Sequence, residues 1–201
     1  LIDDLTRVVL SGALMQTKLW RDEGLTFGVA VNISMDNLAN LDFPDFVLNE
    51  ISRHDLAPTD IILELTESRL MKHGAVALDI LTRLKLKQIS LSIDDFGTGH
   101  SSLTQLLDIP FDELKIDYSF VHGAHHDATR RAIFGASLSM ARQLNMKSVA
   151  EGVEDQADWD FLQEQNCDLV QGYFIAKPMP AEDLPAWLAD WEIRRLELVQ
   201  E

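Results

Sequence analysis

Two hydrophobic rhythms alternate along this chain. Short apolar runs rich in β-branched residues occur at 27–33 (FGVAVNI), 61–65 (IILEL), 89–93 (ISLSI), 114–116 (LKI), 148–150 (SVA) and 169–174 (LVQGYF), and each predicts a buried strand. Between them, apolar residues return at helical spacing. Leu1, Leu5, Val8, Val9, Leu14 and Trp20 predict an opening helix that ends around Gly24, and Pro44 near a first turn opens a helix over 43–54. Further helices are predicted over 75–86, 101–107 (stopped before Pro110), 128–144 (with Ile133, Ala136, Met140, Ala141 and Leu144 inward), 156–163 and 184–198.

This amounts to about seven βα-like units and predicts an α/β fold, a TIM-like (β/α)8 barrel with parallel strands. Such a barrel typically needs about 250 residues, with a lower limit near 200. The leading helix has no strand before it. The expectation is therefore one barrel domain over residues 1–201, incomplete at its N-terminus, with its first strand upstream of Leu1.

Carboxylates close several of the strands: Glu64 in ILELTES, Asp94 and Asp95 in LSIDDFGTG, and Glu151 in VAEGVE. In parallel barrels the strand ends converge on one face, so these groups are expected to meet there as a metal site.

Composition narrows the partners. The 33 acidic and 17 basic residues give a formal charge of −16, which argues against a sequence-independent grip on DNA or RNA. A phosphate substrate would have to be met locally, through metal ions. The single cysteine, Cys167, cannot form an internal disulfide and reads as a small buried residue. No apolar run approaches the ~20 residues that span a bilayer, and the acidic start is unlike a signal peptide, so a cytoplasmic protein is expected. His122, His125 and His126 with Asp127 have the residue types of a zinc site. Lying between a strand and a long helix, they read instead as a polar lead-in with Asp127 as N-cap.

Six motifs occur in order: VNIS (31–34), ELTES (64–68), DDFGTGHSSL (94–103), KID (115–117), AEGVE (150–154) and QGY (171–173). Together, over about residues 29–180, they resemble the EAL-domain phosphodiesterases that hydrolyse cyclic di-GMP. The chain departs from the family's usual pattern at His100, where Tyr or Phe is common, and at Tyr118, where a basic residue is common. Nothing before Asn32 supplies the Glu-Ala-Leu motif that names the family. The resemblance puts that glutamate upstream of Leu1 and implies weak activity for the chain without it.

The resemblance implies a site of two divalent cations, Mg²⁺ or Mn²⁺, with Ca²⁺ inhibitory. Asn32, Glu64 and Asp94 would hold the first, Asp94 would bridge to a second held with Asp95, and Glu151 would act beside the second as general base. Lys115 would contact the nucleophile, Gln171 would orient water or ligand, and Glu67 and Glu154 would be supporting carboxylates, Glu67 anchoring the loop after Phe96. The implied reaction opens cyclic di-GMP to linear pGpG in bacterial signalling. The implied partners are an upstream regulatory domain and a second copy of the chain, docked through helices near the DDFG loop. A non-hydrolysing cyclic di-GMP receptor and a regulatory interaction module are the alternatives. Degenerate receptors lose ligands, whereas those named here are present.

Overall fold

The computed structural model describes residues 2–66, 75–98 and 109–198. The opening helix α1 (Ile2–Asp22) leads into β1 (Val29–Asn32), α2 (Phe43–Arg53), β2 (Ile61–Thr66), α3 (Ala75–Leu86), β3 (Ser90–Phe96) and β4 (Glu113–Ile116). There follow a short α4 (Tyr118–Val121), α5 (Ala128–Gln143), β5 (Lys147–Glu151), α6 (Gln156–Glu164), β6 (Leu169–Gln171) and α7 (Leu184–Leu198). The helix expected over 101–107 lies outside the described residues.

Among the described residues there are six strands rather than seven units, all parallel and paired in chain order from β1 to β6. Each helical connection returns the chain to the same end of the sheet, as a TIM-like barrel requires. The sheet curls far enough that the Trp20 indole, at the end of α1, donates to the Ala181 carbonyl beyond β6 at 3.2 Å. The last predicted strand is shorter than its pattern, because after Gln171 the chain turns, with the Ala176 amide donating to the Gly172 carbonyl.

The central strands are buried on both faces. Every residue of β4 is buried, and Leu63, Leu65, Leu91, Ile93, Leu114 and Ile116 are at most 1% exposed. Simple alternation is therefore lost there, as expected for strands covered by helices on one side and a filled interior on the other.

Two helices bury faces other than those their patterns predict. In α1, Leu5, Val8 and Val9 are exposed, while Thr6, Leu10, Leu14 and Thr17 face the core. The two threonines tolerate burial because their hydroxyls donate to carbonyls one turn back, Ile2 and Ala13. In α5 the buried face is Phe134, Ser137, Leu138 and Ala141, rotated from the predicted one by about one residue. Phe134 is fully buried and meets Phe161 of α6 at 5.3 Å between ring centroids.

Several helix ends share two devices. Asp127 caps α5 by accepting from the Thr129 and Arg130 amides, as its position predicts, and Asp155 caps α6 by accepting from Asp158. At the C-terminal ends Gly24, Asp55, Gln88, Asn145 and Asn166 all have φ between 53° and 89°. The residue after each donates to a carbonyl in the last turn of its helix, as in Ile89 to Leu84 and Met146 to Ala141. A left-handed residue thus turns each of these helices toward the next strand.

The loop after α4 is fastened to α6. Asp158, fully buried, accepts from the Gly123 and Glu154 amides, and one of its oxygens lies 2.8 Å from His122 Nδ1. The bond to Asp158, with the charges of Asp158, Glu154 and Asp155, raises the His122 pKa against a smaller opposing effect of burial. Burial alone would raise the Asp158 pKa, but the Gly123 amide, His122 and the Glu154 amide outweigh it and bring it below the ordinary value. Among the described residues, no helix is long and apolar enough to cross a membrane.

Two outcomes follow for stability. Gln88 adopts a conformation costing an L-residue about 1–2 kcal/mol, partly offset by the flexibility a glycine adds to the unfolded chain. Gln88→Gly should therefore raise stability by about 0.5–1 kcal/mol in chemical denaturation, and a loss would show that the Gln88 side chain contributes contacts of its own. The His122–Asp158 pair should contribute most between roughly pH 4 and 6.5. The raised His122 contribution is complete below its unfolded pKa and is lost as pH rises through the folded value; the lowered Asp158 contribution is lost as pH falls through its folded value. The stability gap between the wild-type chain and His122→Gln, followed by thermal melting, should shrink above about pH 7. A gap that widens with pH contradicts this coupling.

Candidate active site

The strands deliver their polar residues to one rim. Asn32 ends β1 in register with Glu64, Thr66 pairs with Asp94, Lys115 lies near the end of β4, and Glu151 ends β5 in register with Gln171 of β6. These are carboxyl ends of parallel strands, where backbone amides and side chains point into the open mouth of the sheet.

At the centre sits Lys115, only 4% exposed. Its Nζ lies 2.7 Å from Glu151 Oε1, 3.1 Å from Glu64 Oε1 and 3.2 Å from Asp94 Oδ1, so one ammonium holds carboxylates from three strands. Burial would lower the Lys115 pKa, but the bond to Glu151 and the three negative charges reverse this and raise it well above the ordinary lysine value. Glu151 is pushed up to about 6: burial raises it, Lys115 opposes, and Asp94 and Glu64 add repulsion.

The Asp94–Asp95 pair depends on an irregularity of β3. Ile93 pairs with Leu114 and Phe96 with Ile116, so three steps on β3 match two on β4. Asp95 has φ 56°, in the left-handed region. In a regular strand two successive side chains point to opposite faces, whereas a bulge re-aims one of them. Asp94, Asp95 and Glu151 accordingly bring ligand oxygens within 4.8 Å of one another. Hard oxygen donors at this spacing suit a divalent cation.

Of the residues singled out from the sequence, the structure brings Glu64, Asp94, Asp95, Lys115 and Glu151 together. Asn32 is exposed on the neighbouring edge strand. Gln171 and Glu154 line a cavity of about 420 Å³ with Glu151, Tyr118, Gly152, Gly172 and Tyr173. Glu67 lies outside the described residues. Gly172 is required by close packing, since a Cβ there would sit 2.2 Å from the Val153 carbonyl oxygen.

Sequence reasoning did not anticipate Glu113, two positions before Lys115, whose carboxyl burial pushes up despite the neighbouring lysines. Among Asp112, Lys115 and Asp117 nothing in the string FDELKID sets it apart. Tyr173 was visible within QGY, and Tyr118 as a departure from the pattern. Cys167 is half-buried, and burial pushes its thiol up.

The histidine cluster is a separate group. His122, Asp155 and Asp158 place ligand atoms within 4.8 Å, but the Asp158 oxygens already accept from two amides and approach His122, and Asp155 caps α6. These are internal ties, in keeping with a polar lead-in.

Comparison with known proteins agrees with this fold. The chain is 43% identical over 190 residues to the bifunctional diguanylate cyclase/cyclic di-GMP phosphodiesterase MucR of Pseudomonas aeruginosa; the match covers 94% of this chain and 28% of MucR. The chain thus spans little more than a quarter of that relative. The structure of the MucR phosphodiesterase in complex with c-di-GMP matches at a TM-score of 0.84 and 42% identity, over 90% of this chain and 74% of that one. The EAL domain of Mycobacterium smegmatis DcpA matches at 0.89 and 31%, over 94% and 86%. A manganese and cyclic di-GMP complex of Klebsiella pneumoniae BlrP1 matches at 0.80 and 25%, over 88% and 45%. The EAL domain description fits residues 1–178, and the chain belongs to the EAL domain family.

Proposed function

We propose that this chain carries the site of a metal-dependent phosphodiesterase that opens cyclic di-GMP to linear pGpG in bacterial signalling. The observation that carries the reading is the group of Glu64, Asp94 and Glu151 around the buried Lys115, with Asp95 beside them, on the strand-end rim of a chain in this family. Relatives named as phosphodiesterases and complexes of neighbours with the dinucleotide support it.

The donors fit Mg²⁺ or Mn²⁺, which favour carboxylate and carbonyl oxygen. Asn32, Glu64 and Asp94 would hold one ion, and Asp94, Asp95 and Glu151 a second. When bound, such ions would supply charge neutralisation at the phosphate and activation of the attacking water. Glu151 has a pKa of about 6, so near neutral pH it is largely ionised and can accept the proton of that water. Lys115 stays protonated at neutral pH, and its ammonium would contact the attacking nucleophile and help neutralise charge. Gln171 would orient water or nucleotide from β6, while Glu67 and Glu154 would support the loops that flank the rim. We further propose a homodimer through helices near the DDFG loop, and an upstream regulatory domain in the whole protein.

Asp94→Asn should lower cyclic di-GMP turnover by about 100-fold or more at saturating Mg²⁺ while leaving the melting temperature nearly unchanged, since a charged ligand shared by both ions is lost. Turnover within about threefold of wild type would discard the two-ion assignment.

Metal choice gives a second outcome. Mg²⁺ takes oxygen ligands at about 2.0–2.1 Å and Ca²⁺ at about 2.3–2.6 Å with more of them, so the larger ion would misplace the attacking water. A misplacement of about 1 Å can cost 10²-fold. Hydrolysis should proceed with Mg²⁺ or Mn²⁺ alone and be inhibited by added Ca²⁺; full turnover in Ca²⁺ would reject this account of the site.

A further inference from the structure

Beside the carboxylate rim lies the cavity lined by Tyr118, Glu151, Glu154, Gln171 and Tyr173, which combines exposed aromatic surface with carboxylate and amide groups. Tyr118 is 43% exposed and Tyr173 60% exposed. Exposed tyrosines are poor core residues, and aromatic surface flanked by hydrogen-bonding groups is what a nucleobase recognises: its faces stack and its edge is polar.

Tyr118 is not free to swing. It opens α4 directly after Asp117, which caps that helix by accepting from the Ser119 amide. Its side chain lies across Gly152, where a Cβ would come within 2.2 Å of Cδ2, so the backbone beside Glu151 forms a floor only glycine permits. One helical turn on, the His122 ring lies nearly parallel to it, 5.4 Å between centroids and 9° between planes. His122 is itself held, Nδ1 at 2.8 Å from the buried Asp158, with Glu154 4.0 Å from its other nitrogen. A line of contacts thus runs from α6 through Asp158 and His122 to Tyr118 at the edge of the site.

We propose that Tyr118 contacts a nucleobase of the substrate in this cavity, and that His122, anchored by Asp158, is a positioning residue that holds the Tyr118 ring ready for it. This rests on the cyclic dinucleotide reading given above. The ordering cost of placing an aromatic side chain is met in folding, so binding need not supply it again. Neither His122 nor Asp158 belongs to the carboxylate rim; at the cavity they meet Tyr118 and, through its amide and carboxylate, Glu154.

The test is equilibrium binding of cyclic di-GMP to the chain and its variants, with Ca²⁺ in place of Mg²⁺ so that the nucleotide persists. Tyr118→Leu should weaken binding about tenfold, and Tyr118→Phe should stay within about twofold because the ring is kept. His122→Ala should weaken binding about threefold in the wild-type chain and add nothing in the Tyr118→Leu background, since a residue acting through Tyr118 has no effect without it. His122→Phe keeps a flat ring beside Tyr118 but loses the tie to Asp158: partial recovery of affinity despite a lower melting temperature separates stacking from general stability, and full recovery would remove Asp158 from the proposal. Wild-type affinity in Tyr118→Leu, or losses that multiply in the double variant, overturns the proposal. The two readings fail differently: the expected binding pattern without any hydrolysis removes only the phosphodiesterase reading, and hydrolysis with unchanged affinities in the variants removes only this one. No affinity in the unsubstituted chain removes both.

Discussion

The acidic centre of the strand-end rim is organised by one buried ammonium, that of Lys115. Three carboxylates from β2, β3 and β5 converge on one ammonium, and without it their mutual repulsion would push the strand ends apart. Lys115 supplies the compensation from β4, the strand between β3 and β5. Breaking a buried ion pair by removing one partner costs about 3–5 kcal/mol in other proteins, because the remaining charge is stranded. Here three partners would be stranded together. The same ammonium holds the three carboxylates close together at the rim.

The lysine can do this only because the sheet holds its register. Asn32, Glu64, Lys115, Glu151 and Gln171 all sit in paired positions of parallel strands. Shifting one strand by a single residue would turn its polar group to the other face. The exception is Asp94–Asp95, where two adjacent acidic residues are needed on one side. The bulge against β4 and the left-handed Asp95 provide this, at the cost of a conformation that L-residues avoid. Strain of that kind persists where the surroundings over-determine it, and here the apolar pairs Ile93–Leu114 and Phe96–Ile116 bracket it on both sides.

Much of this is legible in the sequence. The apolar runs that end in carboxylates point to the rim residues directly, because a strand buried on both faces leaves few places for an acid except its end. Asp127 as an N-cap is equally readable. The bulge is not: the string IDDFG records two acids but not the extra step of register. Nor is the buried face of α1, where Leu5, Val8 and Val9 outscore Thr6 and Thr17 on hydrophobicity. The threonines can be buried since their hydroxyls are satisfied one turn back, a local bond that hydrophobic periodicity cannot weigh. In α5 the position of one large ring, Phe134 against Phe161, decides which of two adjacent faces turns inward.

His122 and Asp158 mark the limit of motif reading. They lie 36 residues apart, on the segment after β4 and on α6, and neither falls within the six ordered strings. The link between them exists only because β4 and β5 are neighbours in the sheet, which brings the elements following each strand alongside one another. The rim is therefore specified strand by strand, and a reader of the sequence can find it. Its border is specified by pairs of connections, each polar residue acquiring meaning from a partner that the order of strands supplies. A carboxylate at a strand end is informative by itself, whereas a histidine in a loop is informative only once the strand beside it is known.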